Sequence, residues 1–336
     1  MRKPQACIVA GPTAGAIPMN EAIPDFSAVE AAARRIAPFA APTPVLRSSS
    51  LDALAGAELV FKCENFQRVG AFKFRGACNA VWSLEETRAR HGVVTHSSGN
   101  HGAALALAAR TRGIAAHVVV PEGAVAAKLA GIEAYGAILH RCAPTMAARE
   151  AAAAALVAET GATLVHPYTD PQVIAGQGTA ALELIRQAGP FDAVLAPIGG
   201  GGLVGGTAVA TAALLPSAQL FAAEPEGADD ALRSLRAGRR VTDLTPATIC
   251  DGLRGLIGAI NFELLQRYAV QVLPVSDAEV VAAMRLIWER LKIVVEPSSA
   301  TVLAAILRHR RAFAGRRVGI VLSGGNVDLD QLPWPS

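Results

Sequence analysis

Lysine is scarce in this chain: of 31 basic residues only five are lysines, Lys3, Lys62, Lys73, Lys128 and Lys292. Any chemistry that needs a lysine amine therefore has few places to reside. Aromatic residues make up only 5% of the chain, which argues against the stacking platforms that bind single-stranded nucleic acid. Charge of one sign is also lacking, because 31 basic residues face 28 acidic ones for a net charge of +3. That balance excludes a dedicated nucleic-acid binder. The five cysteines, Cys7, Cys63, Cys78, Cys142 and Cys250, are odd in number, widely spaced and without a CxxC pair. Neither a disulfide framework nor a zinc site fits them; buried free thiols in a reducing cytoplasm do.

Targeting and membrane signals are missing as well. The apolar stretch Ala6–Ala10 ends at Gly11-Pro12, short of the ~7–15 apolar residues of a secretory signal. Ala193–Leu220 carries no charge, yet Pro197, Pro216 and six glycines interrupt it. A strand, a glycine loop and a buried helix read more naturally there than a membrane span. The expectation is a soluble protein with no membrane or nucleic-acid partner.

What the chain has in abundance is apolar residues, 52% of 336, enough for a large core. Short β-branched runs alternate with alanine-rich stretches of helical spacing. The predicted strands are Leu59–Cys63, Val93–His96, His117–Val120, Ala137–Arg141, Thr163–His166, Ala193–Ile198, Gln219–Glu224, Gln271–Val275 and Val318–Leu322. This alternation predicts an α/β fold with largely parallel sheets and right-handed crossovers. Residues 91–168 form a β-α-β-α-β-α-β run of their own. They are predicted as a small domain inserted into a larger one made of 1–90 and 169–336. No repeat and no appended regulatory domain is read.

In open α/β sheets ligands bind at the loops beyond the carboxyl ends of strands, and four segments there are unusual. Gln67–Ala77 places Lys73 between Phe72 and Phe74 at a predicted helix start. An apolar setting lowers an ammonium pKa, as a Schiff-base lysine requires; an exposed lysine at a helix start is the bland alternative. Thr95–Gly102, with Ser97, Ser98, Gly99, Asn100 and His101, is a hydroxyl- and amide-rich helix entry suited to a carboxylate or phosphate. An ordinary N-cap turn is its alternative. Gly199, Gly200, Gly201 and Gly202 follow a strand in Pro197–Gly206, so several backbone N–H groups can converge on one phosphate. A Walker Gly-Lys-Ser/Thr and the dinucleotide GxGxxG register are both absent. A phosphate-bearing cofactor other than ATP or NAD fits better than a merely flexible loop. Leu322–Asn326, carrying Ser323, is a weaker signal that a plain turn would equally explain.

Taken together, these segments resemble the fold type II pyridoxal-phosphate enzymes, specifically the serine/threonine dehydratase and serine racemase branch. The match runs from about Pro42 to the C-terminus in the same order and with comparable spacing. Ser-Ser-Gly-Asn-His after the lysine segment looks like this branch rather than the cysteine synthases. The resemblance implies that Lys73 holds the cofactor as a Schiff base and moves the Cα proton. It implies that Phe72 packs beside the cofactor ring, Asn100 bonds the 3-oxygen, Gly199 to Gly202 hold the phosphate, and Ser323 faces the pyridine nitrogen. Ser97, Asn100 and His101 would bind the substrate carboxylate, and Arg149 would approach the substrate's other end. The Ala223–Asp230 segment looks like the family's divalent-cation site, with Glu224, the Ala228 carbonyl and Asp230 as ligands for Mg²⁺, Ca²⁺ or Mn²⁺. Read alone, that segment is a solvated loop.

The implied activity is dehydration of a β-hydroxy amino acid (serine, threonine or 3-hydroxyaspartate) to a 2-oxo acid and ammonia. A racemase is the alternative, with Lys73 and Ser98 as opposed bases, since Ser98 matches the serine on the second face in serine racemases. Two departures bear on the substrate. Ala71 replaces a serine of serine racemase, giving a lysine segment more like 3-hydroxyaspartate and bacterial serine/threonine dehydratases. Gly255 replaces a serine that lines the racemases' carboxylate pocket. Arg149 and Arg254 could serve a second substrate carboxylate, though Arg254 could equally lie in a surface salt bridge. A cofactor carrier without lyase activity and a nicotinamide dehydrogenase are further alternatives that Lys73, Ser98 and Asn100 disfavour. The resemblance also implies a homodimer.

Overall fold

The structure, a computed structural model, describes residues 23–124 and 126–334. The stretch read above as too short for a signal, and Cys7 with it, lie outside these residues. Ten strands are present: β1 Val45–Leu46, β2 Glu58–Cys63, β3 Val93–Thr95, β4 Ala116–Pro121, β5 Ile138–Cys142, β6 Thr163–Leu164, β7 Ala193–Pro197, β8 Gln219–Pro225, β9 Gln271–Val275 and β10 Arg317–Leu322. They form a six-stranded sheet in the order β1-β2-β10-β7-β8-β9 and a four-stranded sheet in the order β5-β4-β3-β6. All pairings are parallel except β1 with β2. Strand β1 escaped the sequence reading because two residues carry no periodicity.

Strands β2, β7 and β10 are buried almost throughout, as expected where helices cover both faces of a parallel sheet. Register then decides which loops meet. Leu322 pairs with Cys63, and Pro197 pairs with Ala223. With β10 beside β7, the segments after β2, β10, β7 and β8 emerge side by side along one edge. The first three carry Lys73, Ser323 and the glycine loop, in that order, and Glu224 stands at the end of β8 itself.

Glycine-mediated helix contacts hold this edge. A Cβ on Gly176 would lie 2.6 Å from Gly76 Cα, and one on Gly206 would lie 2.5 Å from Gly178 N. Helix 171–188 therefore touches helices 73–83 and 202–214 backbone to backbone. Its start is well defined: Pro171 follows Asp170, whose Oδ1 accepts from Gln172 N at 2.7 Å and Val173 N at 3.2 Å. The uncharged stretch from Ala193 resolves into β7, the glycine loop and helix Gly202–Leu214. Among the described residues no helix is long and apolar enough to cross a membrane. Cys63, Cys78 and Cys250 are buried free thiols, and burial pushes each up to about 12.

Candidate active site

Lys73 opens helix Lys73–Ser83. The preceding backbone is tied to the end of β10, because Phe72 N donates to Ser323 O at 2.9 Å and Ala71 bridges Gly324. Lys73 Nζ lies 5.2 Å from the centre of the Phe72 ring and donates to Pro167 O at 2.9 Å. Burial pushes its pKa down to about 8, against the opposing pull of the Glu296 carboxylate. The amine is thus poised to lose its proton near neutrality.

A buried ionic network anchors the same helix. Arg75, fully buried, donates Nε to Glu64 Oε2 at 2.7 Å, Nη2 to Glu64 Oε1 at 2.9 Å and Nη1 to Glu183 Oε1 at 2.7 Å. Lys62, also fully buried, donates to Glu183 Oε2 at 2.7 Å and to Gln187 Oε1 at 2.8 Å. Two cations and two carboxylates balance, as burial requires. Sequence alone left these residues unassigned, because β2, helix 73–83 and helix 171–188 must first be brought together.

Across the cleft, helix Asn100–Arg112 begins straight after Ser97, Ser98 and Gly99. Asn100 Nδ2 donates to Glu296 Oε1 at 3.2 Å and Oε2 at 3.1 Å, while Asn100 Oδ1 accepts from Asn326 Nδ2 at 2.9 Å. His101 is buried, its Nε2 3.3 Å from Val165 O and its Nδ1 without a partner among the described residues. Burial first, then the charge of Lys73, holds it well below the ordinary histidine range. Burial, with His96 and Lys73, pushes His166 down to about 3. Its Nδ1 accepts from Tyr168 N at 3.3 Å and Thr169 N at 3.1 Å. His96 stacks edge-on against His166 with ring centres 5.1 Å apart. Lys73 therefore faces neutral imidazoles, a feature that His96 and His166, far apart in sequence, concealed.

The glycine loop enters helix Gly202–Leu214 through Gly201 at φ +91°, a conformation that favours glycine. A Cβ on Gly200 would stand 2.5 Å from Tyr168 Cδ2, and one on Gly201 would stand 2.5 Å from Ile257 Cδ1. The loop is a cradle floored by bare backbone at a helix N-terminus, which suits a phosphate. Ser323 is 2% exposed, and its Oγ has no partner among the described residues. A buried hydroxyl without a partner costs stability unless a ligand supplies one. An amine of low pKa, a glycine cradle and an orphan hydroxyl on adjacent loops fit pyridoxal phosphate.

A family model described as "Pyridoxal-phosphate dependent enzyme" matches residues 36–324. The chain belongs to that family. Among its relatives, a beta-hydroxyaspartate dehydratase of Paracoccus denitrificans (strain Pd 1222) is 50% identical over 312 residues, 93% of this chain and 99% of the relative. A serine racemase of Dictyostelium discoideum is 47% identical over 90% of this chain and 95% of its own length. A solved structure of maize serine racemase superposes with a TM-score of 0.89 at 44% identity, covering 91% of this chain and 94% of that one. The two mostly parallel sheets are those of the fold type II pyridoxal-phosphate enzymes.

The remaining expected residues lie at or near this edge of the pyridoxal-phosphate enzyme. Arg149, on helix Met146–Thr160, carries a buried Nε without an acceptor among the described residues, and its charge is felt at His96. Arg254 is exposed and donates Nε to Thr248 O at 3.0 Å. Glu224 and Asp230 are buried rather than solvated. Glu224 accepts from Ala231 N at 2.8 Å and Leu232 N at 3.0 Å, and Asp230 Oδ2 accepts from Ile257 N at 2.7 Å. Burial dominates both shifts, pushing Glu224 up to about 8 and Asp230 up to about 6. Among the described residues no three His, Cys, Asp or Glu side chains cluster as a metal site. A cation here would need backbone carbonyl and water oxygens beside the two carboxylates.

Proposed function

We propose that this pyridoxal-phosphate enzyme is a dehydratase (ammonia-lyase) of β-hydroxy amino acids, with 3-hydroxyaspartate the leading substrate and serine and threonine next. The observation that carries this reading is the amine of Lys73, lowered to about 8 and set on the same sheet edge as the glycine cradle and the buried Ser323 hydroxyl. When bound, pyridoxal phosphate supplies an electron sink for charge developing at the substrate Cα. Gly199 to Gly202 hold its phosphate through backbone N–H groups, Phe72 packs beside the ring and Ser323 meets the ring nitrogen. Lys73 holds the cofactor and, once free, takes the Cα proton as a neutral amine. Asn100 shares one N–H between the two Glu296 oxygens and contacts the 3-oxygen with the other. Ser97, Asn100 and His101 receive the substrate's α-carboxylate at the helix entry; His101, being neutral, contributes a hydrogen bond and no charge.

Loss of the β-hydroxyl with the Cα proton eliminates water, and hydrolysis returns it, leaving a 2-oxo acid and ammonia. A second carboxylate on the substrate has a natural partner in the buried, acceptor-less Nε of Arg149, which favours 3-hydroxyaspartate. The 50% identical relative carries the same substrate in its name. Ser98, beside Asn100, supports a second reading: as a hydroxyl on the face opposite Lys73 it would return a proton to Cα and racemise the substrate. Glu224, the Ala228 carbonyl and Asp230 form the proposed cation site, because two buried carboxylates held partly protonated are relieved by Mg²⁺, Ca²⁺ or Mn²⁺. The proposed organisation is a 91–168 domain within a 1–90 and 169–336 domain, assembled as a homodimer in the cytoplasm.

The test incubates the protein with pyridoxal phosphate and Mg²⁺ and with L-serine, L-threonine or each 3-hydroxyaspartate stereoisomer. Keto acid and amino-acid chirality are read from the same samples. Keto acid exceeding inverted amino acid identifies the dehydratase, and the best substrate names it; the reverse identifies a racemase. Ammonia release surviving in Lys73→Ala would refute the assignment of the base.

A further inference from the structure

The turn His166-Pro167-Tyr168 was not singled out by the sequence reading, yet two features of the cleft depend on it. Pro167 O accepts from Lys73 Nζ at 2.9 Å. One residue on, the half-buried Tyr168 ring lies flat over Gly200, where a Cβ would stand 2.5 Å from Cδ2 and 2.6 Å from Cδ1. The ring stands edge-on to His166 with centres 4.5 Å apart and an interplanar angle of 90°. Its backbone is held too, because Tyr168 O accepts from Asn261 Nδ2 at 2.8 Å and the same amide donates to Gly200 O at 2.6 Å. Beside Gly200, a Cβ on Gly255 would meet Tyr168 Cε1 at 3.2 Å and Cζ at 3.6 Å, and Gly200 N at 3.6 Å. The ring packs on the glycine loop with its Cε1–Cζ edge against Gly255, within one peptide unit of the carbonyl that holds the reactive amine.

We propose that Tyr168 is a specificity-determining residue: its ring sets the width of the cleft beside Lys73 and excludes large β-substituents. Gly255 is then glycine because a side chain there would crowd the edge of the ring that lies on the phosphate loop. The two residues act as one steric unit. This deepens the reading above and rests on it for the choice of substrates, but half of its test is independent of turnover.

The substrate probe is threo-3-phenylserine, a β-hydroxy amino acid with a bulky β-substituent, compared with L-serine in the holoenzyme. Tyr168→Ala raises the phenylserine-over-serine ratio of kcat/KM by at least about tenfold, the scale of steric discrimination in a pocket. Tyr168→Phe leaves that ratio within about threefold, since the ring and not the hydroxyl forms the wall. The second readout is pyridoxal-phosphate affinity, from absorbance titration of the apoprotein. Gly255→Ala weakens it about tenfold beside Tyr168 and by less than about twofold in the Tyr168→Ala background. An unchanged substrate ratio in Tyr168→Ala, or a Gly255→Ala penalty equal in both backgrounds, overturns the proposal. If the wild-type protein eliminates no ammonia from any β-hydroxy amino acid, the dehydratase reading fails. The affinity cycle then still decides whether the ring and Gly255 are coupled.

Discussion

Replacing Lys73 by methionine in the apoprotein tests the electrostatics of the site without any assumption about turnover. In the unfolded chain the amine has its ordinary pKa of 10.5, whereas in the native protein burial holds it near 8. Between those values the unfolded state binds more protons than the native state, so native stability rises with pH. Below pH 8 both states carry the charge and the burial penalty is present in full, about 3 kcal/mol at pH 7. By pH 9.5 the native amine is neutral and the penalty has fallen to about 1.5 kcal/mol. Methionine fills a similar volume and carries no charge. The stability of Lys73→Met relative to wild type should therefore drop by about 1.5–2 kcal/mol between pH 7 and pH 9.5. Loss of the bond to Pro167 O shifts both values together and leaves that slope in place. Urea unfolding of both apoproteins, followed by far-ultraviolet circular dichroism, measures it. A difference that stays constant across this range would show that the amine is solvated like a surface lysine. The account of a poised base would then be wrong.

Three further outcomes follow from other parts of the fold. Arg75→Met leaves Glu64 buried without its cation and should destabilise the protein by about 3–5 kcal/mol in urea unfolding; a loss below about 1 kcal/mol would mean that water or a proton replaces the ion pair. Gly200→Ala drives a Cβ into the Tyr168 ring, so pyridoxal-phosphate uptake, read by absorbance, should fall at least about tenfold, and normal uptake would contradict the cradle. Mg²⁺ must displace protons that Glu224 and Asp230 retain up to about 8 and about 6. Its rise in Tm should therefore be larger at pH 8.5 than at pH 6, and Glu224→Ala should abolish it; a pH-independent rise would locate the cation elsewhere.

Much of the architecture was legible in local pattern, because strand and helix periods are properties of neighbouring residues. Nine predicted strands reappear with ends moved by at most two positions, and the four motif segments were visible as loops too polar or glycine-rich for simple connections. The composition also marked Lys73, one of five lysines and the one flanked by phenylalanines. Its depressed pKa, by contrast, comes from burial among residues of other elements, which outweighs the opposing pull of the Glu296 carboxylate. Strand order and register alone bring these residues together. The Arg75–Glu64–Glu183 network, the orphan hydroxyl of Ser323 and the packing of Tyr168 on Gly200 and Gly255 were invisible for the same reason. Each is a relation between residues on different elements, and burial, electrostatics and steric fit arise only when the sheet edge is assembled.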